Sequence, residues 1–264
     1  MILDKFRVDG KTAIITGAGT GLGRAMALAL ADAGADIYGA ARRLEPLNET
    51  KALVEAKGRK MAVRSTDVTV SGEVNAMVDD AIAQFGRIDI LINNAGITER
   101  GRGKTLPELD DEDWRIGIDV NLTSAFYCSR ALINHFVDNG SGRIINITSG
   151  WGFRGGKNNF MYSVAKGGII QLTKALAMTY AREGIRATCI GPGLIPKEIP
   201  DEFREQRSGT QPVGRLGWSR DMGPLAVFLC SDASDYVSGE TILVDGGAIA
   251  AGLIPAGYAP EAEG

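Results

Sequence analysis

The strongest constraint in this sequence is a regular alternation of short apolar runs with longer helix-forming segments, repeated about seven times between residues 12 and 244. The apolar runs are continuous rather than alternating, which is typical of strands that are buried on both faces. Strands separated by helices pair in parallel, with right-handed crossovers that place helices on both faces of the sheet. The sequence therefore predicts a doubly wound, Rossmann-type α/β fold in a single domain.

The predicted boundaries follow from apolar runs for the strands and from Ala- and Leu-rich segments, often ended by glycine, for the helices. The predicted strands cover residues 12–16, 36–40, 60–65, 88–92, 143–148, 185–190 and 241–244. The predicted helices cover residues 22–33, 45–57, 72–85, 111–138, 158–183 and 219–229. Because no Pro- or Ser-rich linker interrupts the alternation, we predict one catalytic domain over residues 1–247.

Two segments depart from the alternation. Residues 194–213 form a short stretch that Pro196, Pro200 and Gly209 interrupt, and we expect them to act as a mobile lid. Residues 248–264 are dominated by Ala, Gly and Pro. Two readings of them stay open: a mobile tail, or a strap over a neighbouring subunit, because side chains such as Leu253 and Tyr258 are unfavourable in water.

Composition excludes several classes of function. The 264 residues carry 29 Lys and Arg against 32 Asp and Glu, a net charge of −3, so we expect no nucleic-acid or membrane partner. The chain lacks an apolar run of the about 18 residues that a membrane span needs, and its first residues lack the apolar core of a signal peptide. Three scattered cysteines favour a reducing, cytoplasmic location. With a single histidine, His135, they give no metal-site spacing, and we expect no metal.

A glycine cluster lies where the first strand meets the first helix, in the segment Thr16-Gly17-Ala18-Gly19-Thr20-Gly21-Leu22-Gly23. Glycines there let the backbone approach a diphosphate, and the helix N-terminus supplies N–H donors and the positive end of its dipole. A tight turn without a ligand is the alternative. The strand and helix on either side favour a dinucleotide site.

Motifs at other strand ends extend this pattern. Asp67-Val68 follows the third strand, Asn93-Asn94-Ala95-Gly96 ends the fourth, Pro192-Gly193 follows the sixth and Asp245-Gly246-Gly247 follows the seventh. Together with the glycine cluster, this set resembles the short-chain dehydrogenase/reductase family. The resemblance implies an oxidoreductase that uses a nicotinamide cofactor. The cofactor-binding residues so predicted are Gly17, Thr20, Gly21, Leu22, Gly23, Arg42, Arg43, Asp67, Val68, Asn93, Ala95, Gly96, Tyr162, Lys166, Pro192, Gly193 and Ile195.

Finer similarities point to one branch of that family. Met1-Ile2-Leu3, Gly21-Leu22-Gly23 and Ser234-Asp235-Tyr236-Val237 resemble the branch of 2-dehydro-3-deoxy-gluconate and gluconate 5-dehydrogenases. Two positions depart from the family pattern. Thr188 stands where an asparagine is usual, and Lys197 stands where a threonine often binds the nicotinamide amide.

Four residues match the catalytic tetrad of the family in order and spacing: Asn121, Ser149, Tyr162 and Lys166. Tyr162 and Lys166 lie one helical turn apart, and a nearby ammonium favours the phenolate of a side chain whose free pKa is about 10. Tyr162 can then exchange a proton with the substrate, while the Ser149 hydroxyl bonds the substrate oxygen. The resemblance implies that Asn121 holds a water linked to Lys166. Taken singly, each residue is equally compatible with packing or capping.

The end of the second strand bears on the choice of cofactor. An acid there would bind the ribose 2′-hydroxyl of NAD, but Ala41 is followed by Arg42 and Arg43, and a guanidinium suits a 2′-phosphate. We therefore predict NADP(H). NAD(H) stays open, because both arginines could be solvated residues at the start of a helix.

Cations also follow the strand ends that border the predicted nicotinamide site. Arg100, Arg102 and Lys104 follow the Asn-Asn-Ala-Gly motif, and Arg154 follows Ser149. Since guanidinium groups bind carboxylates, we predict a small sugar acid such as a keto-uronate or keto-gluconate as the substrate. The alternative is a solvated loop, or one paired with neighbouring acids. The predicted substrate-binding residues are Ser149, Trp151, Arg154, Tyr162, Arg100 and Arg102.

Other functions remain open from the sequence. One is a reductase of neutral ketones or polyols, another is a protein that senses a dinucleotide without turnover, and a third is a methyltransferase on a similar sheet. The family resemblance implies a homodimer or homotetramer, formed through the helices predicted at 111–138 and 158–183 and the last strand. An apolar stripe on the second of these helices fits such an interface, or fits packing on the sheet.

Overall fold

The structure is a computed structural model that describes residues 1–197 and 199–250. At its centre is one sheet of seven strands in the order β3-β2-β1-β4-β5-β6-β7. Every neighbouring pair is parallel. The strands are β1 (Thr12–Thr16), β2 (Asp36–Ala41), β3 (Met61–Ser65), β4 (Ile90–Asn93), β5 (Gly142–Ile147), β6 (Ile185–Pro192) and β7 (Thr241–Val244). The prediction of a doubly wound parallel α/β sheet is confirmed.

Helices cover both faces of this sheet. They are α1 (Gly21–Asp32), α2 (Leu44–Glu55), α3 (Ser71–Phe85), α4 (Asp111–Ile118), α5 (Ser124–Asp138), α6 (Phe160–Tyr180), α7 (Asp201–Ser208) and α8 (Met222–Cys230). Side chains of α1, α2 and α8 pack with one face of the strands, and those of α3, α5 and α6 pack with the other. Successive residues of β1 divide between the two cores, with Ile14 in one and Ile15 in the other, as the strand pleat requires. This double burial accounts for the continuous apolar runs.

The strand order reverses beside β1, which has β2 on one side and β4 on the other. In such sheets the crevice for a ligand lies outside the carboxyl ends of the strands, at the point of reversal. The glycine cluster follows β1, and the Asn-Asn-Ala-Gly motif begins in β4. The topology therefore places both motifs at that crevice.

The helix predicted over residues 111–138 is interrupted. A five-residue π-helical segment, Asp119–Thr123, separates α4 from α5 and contains Asn121. The Asn121 amide donates hydrogen bonds of 3.0 Å to Gly117 O, four residues earlier in the helix, and to Ile97 O, in the loop after β4. Single-turn π segments of this kind occur frequently at functional sites.

Helix α7 lies within the predicted lid, where no helix was expected. None of its residues is buried, so it lacks the apolar periodicity on which sequence-based prediction depends. Pro200 precedes it, Asp201 and Glu202 lie in its first turn and Arg207 in its last, which complements the helix dipole. Of the predicted tail, residues 251–264 lie outside the described residues.

Several sequence-based expectations can be compared with the described residues directly. No helix in this part of the chain is long and apolar enough to cross a membrane. Within the same residues, no group of three or more His, Cys, Asp and Glu side chains is arranged to hold a metal ion. His135 Nε2 accepts a hydrogen bond of 3.0 Å from Ile88 N, so this side chain ties α5 to the segment before β4.

Candidate active site

Two connected cavities form a long cleft along the carboxyl edge of the sheet. One of about 690 Å³ lies against the glycine cluster and the ends of β2 and β3, and we call it the first cavity. The other, of about 680 Å³, lies against the ends of β4, β5 and β6, and we call it the second cavity. Gly17, Thr20 and the segment 95–97 line both. The cleft therefore suits an elongated ligand that crosses the switch point.

The turn between β1 and α1 shows why glycine is needed there. Gly17 and Gly21 have φ angles of 71° and 54°, in the left-handed region. A Cβ atom on Gly17 would lie 2.8 Å from Asn94 Nδ2, which donates a hydrogen bond to Thr16 O. Thr20 precedes α1 without capping it by its side chain, which leaves the first N–H groups of the helix for a ligand. These features fit the diphosphate of a dinucleotide.

The far end of the first cavity carries both signs of charge. Arg42 and Arg43 follow β2, and Asp67 follows β3 on the adjacent wall. Burial raises the pKa of Asp67, but hydrogen bonds from Thr69 and the Arg42 charge outweigh it and hold that pKa below its usual value. Thr69 N and Oγ1 lie 3.0 and 2.7 Å from Asp67 Oδ1. Asp67 is thus an ionised acceptor, and no acid occupies the end of β2 itself.

The four residues of the predicted tetrad all line the second cavity. Ser149 lies beyond the end of β5, Tyr162 and Lys166 lie on α6, and Asn121 lies on the π-helical segment. Lys166 Nζ donates a hydrogen bond of 2.9 Å to Ile147 O and lies 5.6 Å from the centre of the Tyr162 ring. The fold thus brings these four residues to one wall of the cleft.

Helix α6 is fixed to β5 by close backbone contacts. Thr148 Oγ1 donates a hydrogen bond of 2.7 Å to Lys166 O. A Cβ atom on Gly152 would lie 2.7 Å from the same carbonyl oxygen, so only glycine allows this approach. The position of Lys166 relative to Ser149 is therefore set by main-chain packing.

The side chains of Asn121 and Lys166 lie on either side of a small space beside Gly96. Asn121 Oδ1 accepts a hydrogen bond of 3.1 Å from Ile97 N. A Cβ atom on Gly96 would lie 2.9 Å from Asn121 Oδ1 and 3.6 Å from Lys166 Nζ. The absent side chain thus leaves a small polar gap between the amide and the ammonium.

Burial shifts the pKa values of Lys166 and Tyr162 in opposite directions. It lowers the pKa of Lys166 to about 8. It also raises the pKa of Tyr162, although the Ser149 hydroxyl and the Arg102 charge act the other way. At neutral pH, without a cofactor, the Tyr162 phenol is therefore protonated and Lys166 is largely charged.

Most of the predicted cofactor residues line the cleft, and these are Gly17, Thr20, Leu22, Arg42, Arg43, Asp67, Val68, Ala95, Gly96, Tyr162, Lys166, Pro192, Gly193 and Ile195. Gly23 instead packs against Gly17, where a Cβ atom would lie 2.2 Å from the carbonyl oxygen. Asn93 lies beneath the site, where its amide donates a hydrogen bond of 2.8 Å to Asn146 Oδ1. Neither residue lines the two cavities, and the same holds for Gly21.

The predicted substrate residues separate into two groups. Ser149, Trp151, Tyr162 and Arg102 line the second cavity. Arg100 turns away from it, because its Nε lies 2.6 Å from Asp113 Oδ1. Arg154 stacks against Trp151, with its guanidinium carbon 4.9 Å from the centre of the ring.

Several further residues line the second cavity without having been assigned from the sequence, and three of them carry side-chain N–H groups able to donate hydrogen bonds to a ligand. They are Asn94, Asn159 and Lys197. Asn94 could have been found, because it belongs to the same motif as Ala95 and Gly96. Lys197 was visible only as a departure from the family pattern.

Comparisons with known proteins agree with this geometry. A sequence profile described as enoyl-(acyl carrier protein) reductase matches residues 17–248. The 2-dehydro-3-deoxy-D-gluconate 5-dehydrogenase of Escherichia coli (strain K12) is 42% identical over 258 residues, which cover 95% of this chain and 100% of that protein. The chain belongs to the short-chain dehydrogenase/reductase family.

Two further relatives support the same branch. The enzyme of the same name from Bacillus subtilis (strain 168) is 40% identical over 252 residues, 92% of this chain and 96% of the relative. The crystal structure of a gluconate 5-dehydrogenase from Burkholderia cenocepacia J2315, in complex with NADP and tartrate, has a TM-score of 0.86 and 35% identity, and covers 95% of this chain and 99% of that one. The chain is an NAD(P)-dependent oxidoreductase, close to sugar-acid dehydrogenases, that acts on a small molecule.

The buried Lys166 makes stability depend on pH. Its pKa is about 8 in the folded protein and 10.5 in the unfolded chain, so between these values only the unfolded chain holds the proton. The stability of the parent should therefore rise with pH relative to Lys166→Met, by about 2–3 kcal/mol between pH 8 and 10.5. Urea unfolding of both proteins without cofactor measures this. Lys174→Met, at an exposed position of α6, should show no such trend, and a pH-independent difference for Lys166→Met would contradict the shift.

Proposed function

We propose that this chain transfers a hydride between NADP(H) and a secondary alcohol or ketone of a small sugar acid, such as a keto-uronate or keto-gluconate. The observation that carries the proposal is the placement of Ser149, Tyr162, Lys166 and Asn121 on one wall of a cavity that Arg102 also lines. The similarity to 2-dehydro-3-deoxy-D-gluconate 5-dehydrogenase and gluconate 5-dehydrogenase supports the substrate class.

In this proposal the protein positions the substrate and moves its proton. The nicotinamide of the bound cofactor supplies or accepts the hydride. Tyr162 gives its phenolic proton to the carbonyl oxygen during reduction and takes it back during oxidation. Because burial keeps the pKa of this phenol high, the proton is in place for reduction at neutral pH. The Ser149 hydroxyl bonds the same oxygen as its charge changes.

Lys166 and Asn121 act behind Tyr162. The Lys166 ammonium, with a pKa of about 8, favours the phenolate when Tyr162 loses its proton. The gap at Gly96 lies between Asn121 Oδ1 and Lys166 Nζ, and a water held there would connect the ammonium to solvent. Proton exchange with bulk water would then proceed through Lys166.

The preference for NADP(H) rests on the first cavity. Arg42 and Arg43 line it where β2 ends, and a guanidinium matches a 2′-phosphate better than a ribose 2′-hydroxyl. The NADP complex of the gluconate 5-dehydrogenase from Burkholderia cenocepacia J2315 supports the same choice.

The preference for an anionic substrate rests on Arg102. Its nearest acid within the described residues is Glu99, with Nη1 and Oε1 3.7 Å apart at an exposed position, which is a weak pairing. The guanidinium is therefore available to a carboxylate in the second cavity. Leu194, Ile195 and Trp151 line the same space and favour a neutral ketone as the second candidate.

Removal of the phenolic proton should abolish turnover. Tyr162→Phe keeps the ring but not the hydroxyl, so we expect kcat to fall at least about 100-fold with the melting temperature unchanged. Stopped-flow or steady-state absorbance at the reduced nicotinamide band measures this. Tyr180→Phe, near the end of the same helix and outside both cavities, should retain parent activity. Near-parent turnover in Tyr162→Phe would remove this residue from the mechanism.

Reversal of charge at Arg42 should change the cofactor. Arg42→Asp places a carboxylate where a 2′-phosphate would bind, so kcat/KM for NADPH should fall about 100-fold while that for NADH holds or rises. Arg182→Asp reverses an exposed charge just after α6 and controls for the effect of net charge on cofactor binding. Equal kcat/KM values for NADH and NADPH in the parent would overturn the preference.

Loss of the Arg102 guanidinium should affect acids selectively. Arg102→Ala should raise KM about threefold to tenfold for a keto-gluconate and leave KM for a neutral ketone of similar size unchanged. High salt should weaken the effect, because the guanidinium is largely exposed. Arg100→Ala should have a smaller effect, since Asp113 holds that side chain. A parent enzyme that prefers the neutral ketone, with Arg102→Ala silent, would establish the second candidate instead.

A further inference from the structure

We propose that Lys197 binds the diphosphate of the cofactor and thereby fastens residues 193–197 over the glycine turn. The role falls at a position where the family pattern places a threonine. It rests on the NAD(P) site itself and is independent of the proposed preference for NADP(H) and of the proposed substrate.

The Lys197 side chain lies across the first residue of α1. A Cβ atom built on Gly21 would lie 3.4 Å from Lys197 Cε, 3.5 Å from Cγ and 3.8 Å from Cδ. These are ordinary van der Waals distances, so the methylene chain covers the glycine without strain. The ammonium is one bond beyond Cε and therefore lies close to the N-terminal end of α1.

The segment that carries Lys197 is anchored just before it. Gly193 N donates a hydrogen bond of 3.0 Å to Val244 O, and Gly217 N donates one of 3.1 Å to Leu194 O. A Cβ atom on Gly217 would lie 2.6 Å from Ile195 Cγ1, so Ile195 packs directly on that residue. Two residues after this anchored part, the Lys197 side chain reaches back over the glycine turn.

Lys197 also separates two spaces. It lines the second cavity together with Gly17, Thr20 and Leu22 from the glycine turn. On its other side a neighbouring hollow of about 420 Å³ lies against Arg204 and Trp218. Movement of this one side chain would therefore open or close the wall of the cleft beside the turn.

Charge and geometry favour a phosphate as the partner of Lys197. The first N–H groups of α1 and the positive end of its dipole are directed to the same place, and an ammonium adds a full positive charge there. A threonine at this position could offer only a neutral, short hydroxyl. Lysine binds phosphate as a point charge on a flexible stem, which suits a residue that must be released when the cofactor leaves.

Binding measurements without turnover test this role. Dissociation constants are measured by calorimetry for ADP-ribose, for its 2′-phosphate and for adenosine 2′-monophosphate, in the parent and in Lys197→Met. The first two ligands carry the diphosphate and lack nicotinamide, whereas the third lacks the diphosphate. We expect Lys197→Met to weaken both diphosphate ligands by the same factor, about tenfold, and to leave the monophosphate unchanged. Lys197→Arg should restore most of the binding.

Two controls make the result specific. Lys174→Met removes an exposed lysine from α6 and should change none of the three dissociation constants. Arg42→Asp should weaken only the two ligands with a 2′-phosphate. If Arg42→Asp is silent while Lys197→Met weakens both diphosphate ligands, the proposed NADP(H) preference fails and the role of Lys197 stands.

Three outcomes would overturn the role. Unchanged binding of ADP-ribose and its 2′-phosphate in Lys197→Met would show that the ammonium does not bind the diphosphate. An equal increase in the dissociation constants of all three ligands would show that the lysine charge attracts any anion and does not bind the diphosphate specifically. A higher KM for the sugar acid with unchanged binding of all three ligands would assign Lys197 to the substrate.

Discussion

The contact on which the site depends most is that between α6 and the end of β5. Lys166 is buried, yet its ammonium bonds Ile147 O at 2.9 Å, and its own carbonyl accepts a bond of 2.7 Å from Thr148 Oγ1. A buried amine loses much of its hydration, which is why its pKa falls to about 8. The carbonyl at the end of β5 thus stabilises the buried Lys166 ammonium, whose burial is unfavourable for folding. The same contact keeps α6 in a position from which Tyr162 lines the cleft. The burial of Lys166 lowers the stability of the folded protein and places the side chains of the site in advance of ligand binding.

The layer beneath the site is also polar, and a series of side-chain hydrogen bonds links its residues. Asn93 donates to Asn146, the Asn146 amide donates to Thr173 Oγ1 at 2.8 Å, and Thr173 Oγ1 lies 2.9 Å from Cys189 Sγ. This series of hydrogen bonds connects β4, β5, α6 and β6. Because buried polar groups are costly when unpaired, each bond fixes the register of its neighbours. Rigidity under the tetrad therefore comes from a polar network as well as from apolar packing.

The sequence predicts the parts of this structure that local patterns determine. Residues 12–16 form a strand where a continuous apolar run places it, because that run is buried on both faces. Residues 241–244 also form the predicted strand, although at the edge of the sheet they are only partly buried. Helix α7 was missed because it buries nothing. The π segment was missed because it depends on a hydrogen bond that the Asn121 amide donates to Ile97 O, and Ile97 lies far away in the chain.

The direction of a long side chain is also beyond what local sequence patterns can predict. Arg100 and Arg102 are alike in sequence, but Asp113 holds one while the other lines the second cavity. The family resemblance predicts the tetrad, since its spacing is fixed by the strand end and the helix. It could not place these arginines, whose rotamers depend on neighbours that the motif does not include.

The charge of the cleft differs from that of the whole molecule, and this difference has a physical consequence. The chain carries a net charge of −3, yet six cations line the two cavities against three acids. The cations are Arg42, Arg43, Arg102, Arg115, Lys166 and Lys197, and the acids are Asp67, Glu99 and Asp119. Low-dielectric walls concentrate the field of such a set, so an anionic ligand is attracted along the cleft. A dinucleotide and a small acid are both anions, so the same arrangement of charge favours the entry of each.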